Sequence, residues 1–253
     1  MQPIGIFLSF CFAVGALGQL PETSGLRPLP SDPATVRPNL SPEVRGDIFM
    51  ARKMYREAAD VYRQPPENPI LANKIGIAFH QMTALSDAKR QYERAVRLKP
   101  DYSEAINNLG TIYYAQKSYR KAITQYKRAL KVNPNSASIF SNLGTAYFAR
   151  KKYDEAFDAY QTALSIDPEV FEHRSTQGVL LQERNVTERA KFHYYLAKTY
   201  AKSGNTERAL DYMRKAIEEG FKERNKFVEE AEFASLQANP DFQMLLKLET
   251  RVL

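Results

Sequence analysis

Residues 103–134 read SEAINNLGTIYYAQKSYRKAITQYKRALKVNP, and this stretch decides the fold. Gly110 belongs to a first run of apolar and small residues at helical spacing, and Tyr126 belongs to a second. Polar residues around 116–119 separate the two runs and predict a turn. Pro134 ends the second run, because proline cannot continue a helix and also disfavours the helical conformation of the residue before it. The stretch therefore predicts a helical hairpin, which cannot bury both of its faces without neighbours.

The same hairpin pattern occurs three times at a constant interval and with no gap. Six columns are shared by the three copies, and each column holds glycine, an aromatic residue, alanine or proline. The columns are Gly76, Gly110, Gly144; Phe79, Tyr113, Tyr147; Ala88, Ala122, Ala156; Tyr92, Tyr126, Tyr160; Ala95, Ala129, Ala163; and Pro100, Pro134, Pro168. The interval matches the period of about 34 residues that is typical of the tetratricopeptide repeat. The chain therefore resembles a tetratricopeptide repeat protein over about residues 43–220.

This resemblance implies an all-α fold, a superhelical solenoid of antiparallel helix pairs. It also implies that the first helix of each pair lines a concave groove, which in this family usually binds a peptide, and that the second helices lie on the convex side. A solenoid grows by adding repeats, so the 253 residues need no second core. The resemblance implies a non-catalytic interaction module and no enzyme.

The organisation of the chain is predicted from where the repeat pattern holds and where it fails. We predict a signal peptide (1–18), a Pro-rich disordered linker (19–42), a degenerate N-terminal capping repeat (43–68), three regular repeats (69–168), an irregular repeat region with one extra helix (169–220), and C-terminal capping helices (221–253). In the irregular region, residues 186–202 fit two templates. They either close a fourth repeat begun at Phe171, or open a fifth repeat that leaves 171–182 as the extra helix.

The N-terminus carries an apolar run over residues 4–16, which is too short to span a bilayer as a helix but suits a signal-peptide core. Cleavage before Gln19 would follow the small residues Ala16 and Gly18. The run is preceded by no Lys or Arg, which is atypical of a signal peptide. We therefore expect export to the periplasm or the medium if the segment is cleaved, and a cytoplasmic protein if it is not. The alternative to a signal peptide is a buried N-terminal helix or an uncleaved anchor. Cys11, the only cysteine, lies inside this segment, so the cleaved protein would contain no thiol.

The groove implied by the resemblance is predicted from the outward-facing columns of the first helices. Asn108 and Asn142 share one column, and their amides could bond the backbone of an extended peptide. Alternatively, these amides bond neighbouring helices to each other. The predicted groove residues are Asn73, Lys74, Ile77, His80, Asn107, Asn108, Thr111, Tyr114, Ser141, Asn142, Thr145 and Phe148.

A second candidate surface follows residues 191–202. It combines lysine and tyrosine side chains, and together these could bind an acidic peptide or an anionic polymer. The alternative places the aromatic rings in the core and the lysines in water. This predicted basic-aromatic face consists of Lys191, Tyr194, Tyr195, Lys198 and Lys202.

Charge is distributed unevenly along the chain, whose formal net charge is +7. Residues 69–136 contain twelve basic and four acidic residues, whereas residues 217–242 contain three basic and seven acidic ones. Most of the basic excess falls on second helices, hence on the convex side. This pattern supports an alternative function, the binding of an anionic polymer or a membrane surface by the basic convex face. The bland interpretation is a solvated basic surface.

Signals for catalysis or cofactor binding are missing from the sequence. His80, His173 and His193 are far apart, and none forms a metal-binding pair at helical spacing. There is no Gly-rich phosphate loop and no nucleophile elbow. We therefore predict no catalytic, cofactor or metal site and no small-molecule substrate. The expected partner is a protein or peptide, while nucleic acid is not expected and membrane-surface proximity stays open.

Overall fold

The computed structural model describes residues 40–63, 68–172 and 186–248, all within one compact unit, Asn39–Leu253. The predicted signal peptide and nearly all of the predicted linker lie outside the described residues. So does most of the predicted extra helix, from residue 173 onward. Statements about the fold below concern the described residues.

Four helix pairs follow one another along the first part of the chain. Each pair consists of two helices joined by a short turn. The helices are α1 (Pro42–Ala51), α2 (Tyr55–Tyr62), α3 (Pro69–Gln81), α4 (Leu85–Leu98), α5 (Ser103–Ala115), α6 (Tyr119–Val132), α7 (Ala137–Ala149) and α8 (Tyr153–Ile166). Each helix packs on the one before it and the one after it, as in a solenoid.

The turn inside each of these four pairs uses the same backbone conformation. Its central residue has a positive φ, between 56° and 59°, although none of the four residues is glycine (Lys53, Thr83, Lys117 and Lys151). At the third turn the amide of Lys117 bonds the carbonyl of Tyr114, and the amide of Ser118 bonds that of Tyr113. These bonds satisfy carbonyls that the end of a helix leaves free.

A glycine of the first helix and a tyrosine of the second lock the two helices of each pair together. A Cβ added to Gly110 would lie 2.6 Å from Cε1 of Tyr126, so only glycine admits the ring at that depth. The four contacts are Gly46 with Tyr62, Gly76 with Tyr92, Gly110 with Tyr126, and Gly144 with Tyr160. The 34-residue period does not predict the first contact, because Gly46 and Tyr62 each precede the next glycine and tyrosine, Gly76 and Tyr92, by 30 residues. Although α2 is shorter than the other second helices, the pair α1–α2 has the same internal contact as the regular repeats.

A fifth pair consists of α9 (Val186–Lys202) and α10 (Thr206–Glu218). The two helices pack along each other, and Gly204, with φ of 80°, takes the positive-φ position in their turn. Ala197 and Ala209 are both fully buried, with the same spacing in sequence as Gly110 and Ala122. Of the two sequence templates for residues 186–202, the described residues therefore match the one in which α9 opens a repeat.

Short helical segments follow α10 and pack on the fifth pair: α11 (Lys226–Glu229), a 3₁₀ helix (Ala231–Leu236) and α12 (Pro240–Leu246). Phe227, Phe233 and Phe242 from these segments are fully buried. Their rings continue an aromatic cluster that includes Tyr194 of α9. The segments cover an apolar face that the last repeat would otherwise expose.

All regular secondary structure among the described residues is helical, and it confirms the predicted all-α repeat solenoid. Within those residues, no helix combines the length and the apolar character needed to cross a bilayer.

Candidate protein-interaction face

A ladder of side-chain contacts joins the first helices of successive pairs. On each rung, a donor on one first helix reaches an acceptor on the preceding first helix. Asn108 Nδ2 donates to Asn73 Oδ1 at 3.0 Å, and Asn142 Nδ2 donates to Asn107 Oδ1 at 3.0 Å. The amide columns therefore connect α3 to α5 and α5 to α7.

The first rung of the ladder is ionic. Lys74 Nζ lies 2.9 Å from Glu43 and 2.7 Å from Asp47, which connects α3 to α1. Burial alone would lower the pKa of Lys74, but the hydrogen bonds with Asp47 and Glu43 outweigh it and hold that pKa above its ordinary value. Lys74 is thus charged and already paired.

The amide column is not available to a groove ligand, which corrects the prediction for Asn73, Asn107, Asn108 and Asn142. All four side chains are buried, and Asn142 is fully inaccessible to solvent. A buried amide must find a partner inside the protein, because leaving it unbonded costs free energy. Here the neighbouring first helix supplies that partner, which was the alternative interpretation of the column.

The threonine column is occupied too. The Tyr126 hydroxyl donates to Thr111 Oγ1 at 3.4 Å, and Thr111 in turn donates to the Asn107 carbonyl at 3.3 Å. Tyr160 and Thr145 repeat this arrangement one period later. Thr145 is buried, so its predicted role in the groove is corrected, whereas Thr111 is half-buried.

The exposed part of this side of the solenoid, called here the first-helix face, consists of the half-buried side chains Ile77, His80, Thr111, Tyr114 and Ser141. Residues three or four apart on a helix share a face, so Ile77 lies next to both Asn73 and His80, and Thr111 lies next to both Asn108 and Tyr114. Burial holds the pKa of His80 below its ordinary value, so the imidazole is neutral at pH 7. The first-helix face therefore carries no charged side chain and combines apolar with uncharged polar groups.

The first-helix face ends where α9 begins to pack. Phe148, the last predicted groove residue, is buried, and its ring lies 5.4 Å from that of Phe192 and 6.0 Å from that of Tyr195. Phe148 is therefore a core contact between α7 and α9, and its predicted role in the groove is corrected.

The predicted basic-aromatic face of α9 is largely covered by the chain itself. Tyr194 and Tyr195 are buried, and the ring of Tyr194 stacks on Phe221 at 4.4 Å. Lys198 Nζ lies 2.9 Å from Glu230, and the Tyr194 hydroxyl donates to the same carboxylate. The chain's own acidic C-terminal segment thus occupies this surface, which corrects the prediction for the two tyrosines and Lys198.

The other two lysines of that face lie on aromatic rings of α8. Lys191 Nζ is 4.1 Å from the ring centroid of Tyr153, and Lys202 Nζ is 5.0 Å from that of Phe157. Such contacts stabilise the junction between α8 and α9. Across residues 40–63, 68–172 and 186–248, no group of three or more His, Cys, Asp or Glu side chains is placed to hold a metal ion.

Glu43 and Asp47, which complete the ionic rung, were missed in the sequence. The signal that could have found them is the spacing of Gly46 and Tyr62, which equals that of Gly110 and Tyr126. Aligning α1 on that glycine places Glu43 in the same column as Asn73.

Comparison with known families matches four segments of the chain to models of the tetratricopeptide repeat. The matched residues are 82–126, 110–149, 137–170 and 190–219. The last match begins inside α9 and ends after α10, in agreement with their packing as one pair. No curated protein matches the sequence.

Solved structures with a similar fold include those of MamA. A crystal structure of MamA is 22% identical, covers 69% of this chain and 93% of its own, and has a TM-score of 0.49. MamA from residue 41 to its end, from Desulfovibrio magneticus RS-1, is 19% identical over 70% of this chain and 92% of its own, with a TM-score of 0.50. At this identity the likeness concerns the fold.

Proposed function

This chain is a member of the tetratricopeptide repeat superfamily and is built as a protein-interaction scaffold, and we propose that its first-helix face binds an uncharged, apolar segment of a partner protein. Scaffolds of this superfamily are generally not enzymes. The observation that carries the proposal is that two sets of side chains on this side of the solenoid have different roles. Buried amides hold the repeats together, and the side chains beside them are left half-exposed.

The chemistry of the ligand follows from the side chains that are left. Ile77 and Tyr114 offer apolar and aromatic surface, Thr111 and Ser141 offer hydroxyl groups, and His80 is neutral. Of the charged side chains on these helices, Lys74 is neutralised by its carboxylate partners on α1, and Glu104 accepts a hydrogen bond from Asn73. A charged ligand would lose its hydration on this face, and none of the side chains of the first-helix face would give it a partner ion. An apolar segment would instead bury apolar surface that is already partly shielded from water.

The length of the face sets the size of the ligand. It reaches from α3 to α7 and is limited by Lys74 and its partners at one end and by Phe148 under α9 at the other. Three first helices, which pack about 8–10 Å apart when they are in direct contact, can hold a short amphipathic helix or an extended segment. Such ligands place apolar side chains at regular intervals and would use Ile77 and Tyr114 as the principal contacts.

Site-specific photocrosslinking in the protein's own cells tests this proposal. A photoreactive amino acid is placed at Gln81 or Ala115, which are exposed and lie one turn beyond Ile77 and Thr111. The control positions are Thr124 and Asp158, exposed residues of the second helices α6 and α8. We expect both first-helix positions to crosslink to the same protein and both control positions to leave it untouched. Crosslinks to that protein only from the control positions would contradict the proposal.

We also propose that the scaffold works outside the cytoplasm, in an envelope-associated or secreted assembly. The support is the apolar run over residues 4–16 and the small residues before Gln19. N-terminal sequencing of the protein purified from fractionated cells tests this. A chain starting at Gln19 in the exported fraction supports export, and an intact Met1 in the cytoplasmic fraction contradicts it.

A further inference from the structure

Helix α6 presents an unusual face to solvent. Its solvent-facing residues are basic except for Thr124 and Val132, and the helix contains no acidic residue. The basic face, as it is called here, consists of Arg120, Lys121, Lys127, Arg128 and Lys131. None of these five side chains forms an ion pair with another residue in the part of the chain that the structure describes, although Arg128 donates to the Pro100 carbonyl.

The repeat fold does not need these cations, as α8 shows. Helices α6 and α8 occupy equivalent positions in consecutive repeats, and both carry the same buried alanine and tyrosine columns. At the five positions of the basic face, however, α8 has only acidic or uncharged residues: Asp154, Glu155, Gln161, Thr162 and Ser165. The cations of α6 are therefore dispensable for a helix in this place.

The cations also oppose folding to some degree. Lys127 and Lys131 are four residues apart on one helix, where like charges repel. Lys121 and Lys127 lie 5.8 and 5.6 Å from the ring centroids of Tyr113 and Tyr147, so aromatic contacts relieve part of the repulsion. A set of mutually repelling cations without carboxylate partners creates a positive potential that a bound anionic surface would neutralise.

The apolar neighbours of the basic face indicate which anion fits. Leu98 and Val132 end α4 and α6, are each 42% exposed, and adjoin the basic residues Arg97 and Lys131 in sequence. Aliphatic side chains beside cations match the boundary between lipid headgroups and acyl chains. No exposed residue of α6 is aromatic, whereas single-stranded nucleic acids are held largely by stacking on exposed aromatic rings.

We propose that the basic face, together with Leu98 and Val132, binds the surface of an anionic lipid bilayer. The proposal is independent of the first-helix face, because it uses second helices and a different chemistry. The scaffold would then lie on the membrane by its basic side and keep the first-helix face available to a protein partner.

Vesicle sedimentation with the full chain tests the proposal. The probes are vesicles of phosphatidylcholine alone and vesicles of two parts phosphatidylcholine to one part phosphatidylglycerol. The test variant combines Arg120→Gln, Lys127→Gln and Lys131→Gln. The control variant combines Arg56→Gln, Arg214→Gln and Lys222→Gln, which removes the same charge from exposed residues elsewhere. Both variants keep residues 4–16, so any binding by that apolar run is common to them.

The expected results follow from the strength of such contacts. A basic residue near an anionic surface strengthens binding by about fivefold, so the test variant should bind phosphatidylglycerol vesicles roughly 100-fold more weakly than wild type. The control variant should bind as wild type, and raising the salt from about 0.05 M to about 0.5 M should release both. Val132→Ser should weaken binding, while Ile166→Ser, the equivalent change on α8, should not.

Folding of the test variant is checked by thermal unfolding. Because it removes repelling charges, its midpoint should equal or exceed that of wild type. Lys127→Arg with Lys131→Arg should retain binding, since the charge is kept. Equal binding by the test variant and wild type would overturn the proposal. The proposal would also be overturned if the wild-type protein did not bind anionic vesicles but bound a DNA duplex or an acidic protein at the same salt concentration.

Discussion

The regular repeats, α3 to α8, and the C-terminal region, α9 to α12, solve the same packing problem with different side chains. In the regular repeats, glycine–tyrosine contacts lock each pair, and buried amides join one pair to the next. In the C-terminal region, stacked aromatic rings and carboxylate–lysine contacts do both tasks. Polar rungs can be repeated along a solenoid, whereas an aromatic cluster closes it. The regular repeats therefore leave a half-exposed face that a partner could contact, whereas the C-terminal region covers the corresponding surface with its own segments.

The largest predicted effect comes from a substitution that disrupts the aromatic cluster of the C-terminal region. Phe233→Ala should lower the free energy of unfolding by about 3–5 kcal/mol, because a fully buried ring is removed and a cavity is left. Hydrogen exchange should show the loss of protection in α9 and α10 before α3 to α6, since each repeat contacts only its neighbours. Met244→Ala is the control, an exposed residue of α12 whose removal should cost less than about 0.5 kcal/mol. Uniform loss of protection along the chain would refute the separation of the two regions.

The next largest effect comes from a substitution that disrupts the glycine–tyrosine contact within one helix pair of the regular repeats. Gly110→Ala should destabilise by about 1–3 kcal/mol, because the new methyl group would overlap the ring of Tyr126. The intrinsic preference of alanine for helices acts in the opposite direction and reduces the net loss. A double-mutant cycle with Tyr126→Leu, measured by urea unfolding, should give a favourable coupling between the two changes. If the free-energy costs of the two substitutions simply added, the ring of Tyr126 would not be the reason that glycine is needed at position 110.

Removing one rung of the amide ladder should cost no more than breaking a helix-pair lock. Asn142→Ala leaves the buried Oδ1 of Asn107 without its donor and should cost about 1–3 kcal/mol. Ser141→Ala, the adjacent half-buried residue, should change stability by less than about 0.5 kcal/mol. Thermal unfolding compares the two variants. If Asn142→Ala were as mild as Ser141→Ala, the amides would not be joining the repeats.

The smallest effect concerns pH and lies in the regular repeats. Burial lowers the pKa of His80 in the folded state, so the unfolded chain takes up the proton more readily. Stability should therefore fall as the pH drops through the unfolded value of about 6.5 and approaches the lower folded pKa. His80→Gln should remove this part of the acid-side loss, as measured by urea unfolding at about pH 7.5 and about pH 5.5. An unchanged pH dependence would mean that His80 does not titrate differently on folding.

The sequence predicts the regular repeats well and the C-terminal region poorly, for a physical reason. Glycine, tyrosine and proline at a fixed period report a repeated contact, because few residues fit those positions. The first pair departs from that period. Tyr62 resembles the repeat pattern in the sequence, but the equivalence of Gly46 to the repeat glycines is hidden, although its spacing from Tyr62 is preserved. In α9, aromatic residues satisfy two templates at once, and only packing against α10 distinguishes them.

The candidate site shows a different limit of the sequence. An asparagine column on a first helix fits a peptide-binding groove and an inter-helix ladder equally well, because both uses need a donor and an acceptor. Burial decides between them, and burial depends on how closely the neighbouring first helix approaches. Ile77, His80, Thr111 and Tyr114 were among the predicted groove residues, and they are among those that stay half-exposed. Their binding role is a prediction.

The most direct test compares Tyr114→Ser with Asn108→Ala in affinity capture from the protein's own cells, at a temperature where circular dichroism shows both variants folded. Tyr114 belongs to the first-helix face, whereas Asn108 belongs to the buried ladder. We predict that Tyr114→Ser loses the protein that wild type retains at low and high salt, and that Asn108→Ala keeps it despite a lower unfolding temperature. Loss of that protein by Asn108→Ala and its retention by Tyr114→Ser would contradict the assignment of the two columns.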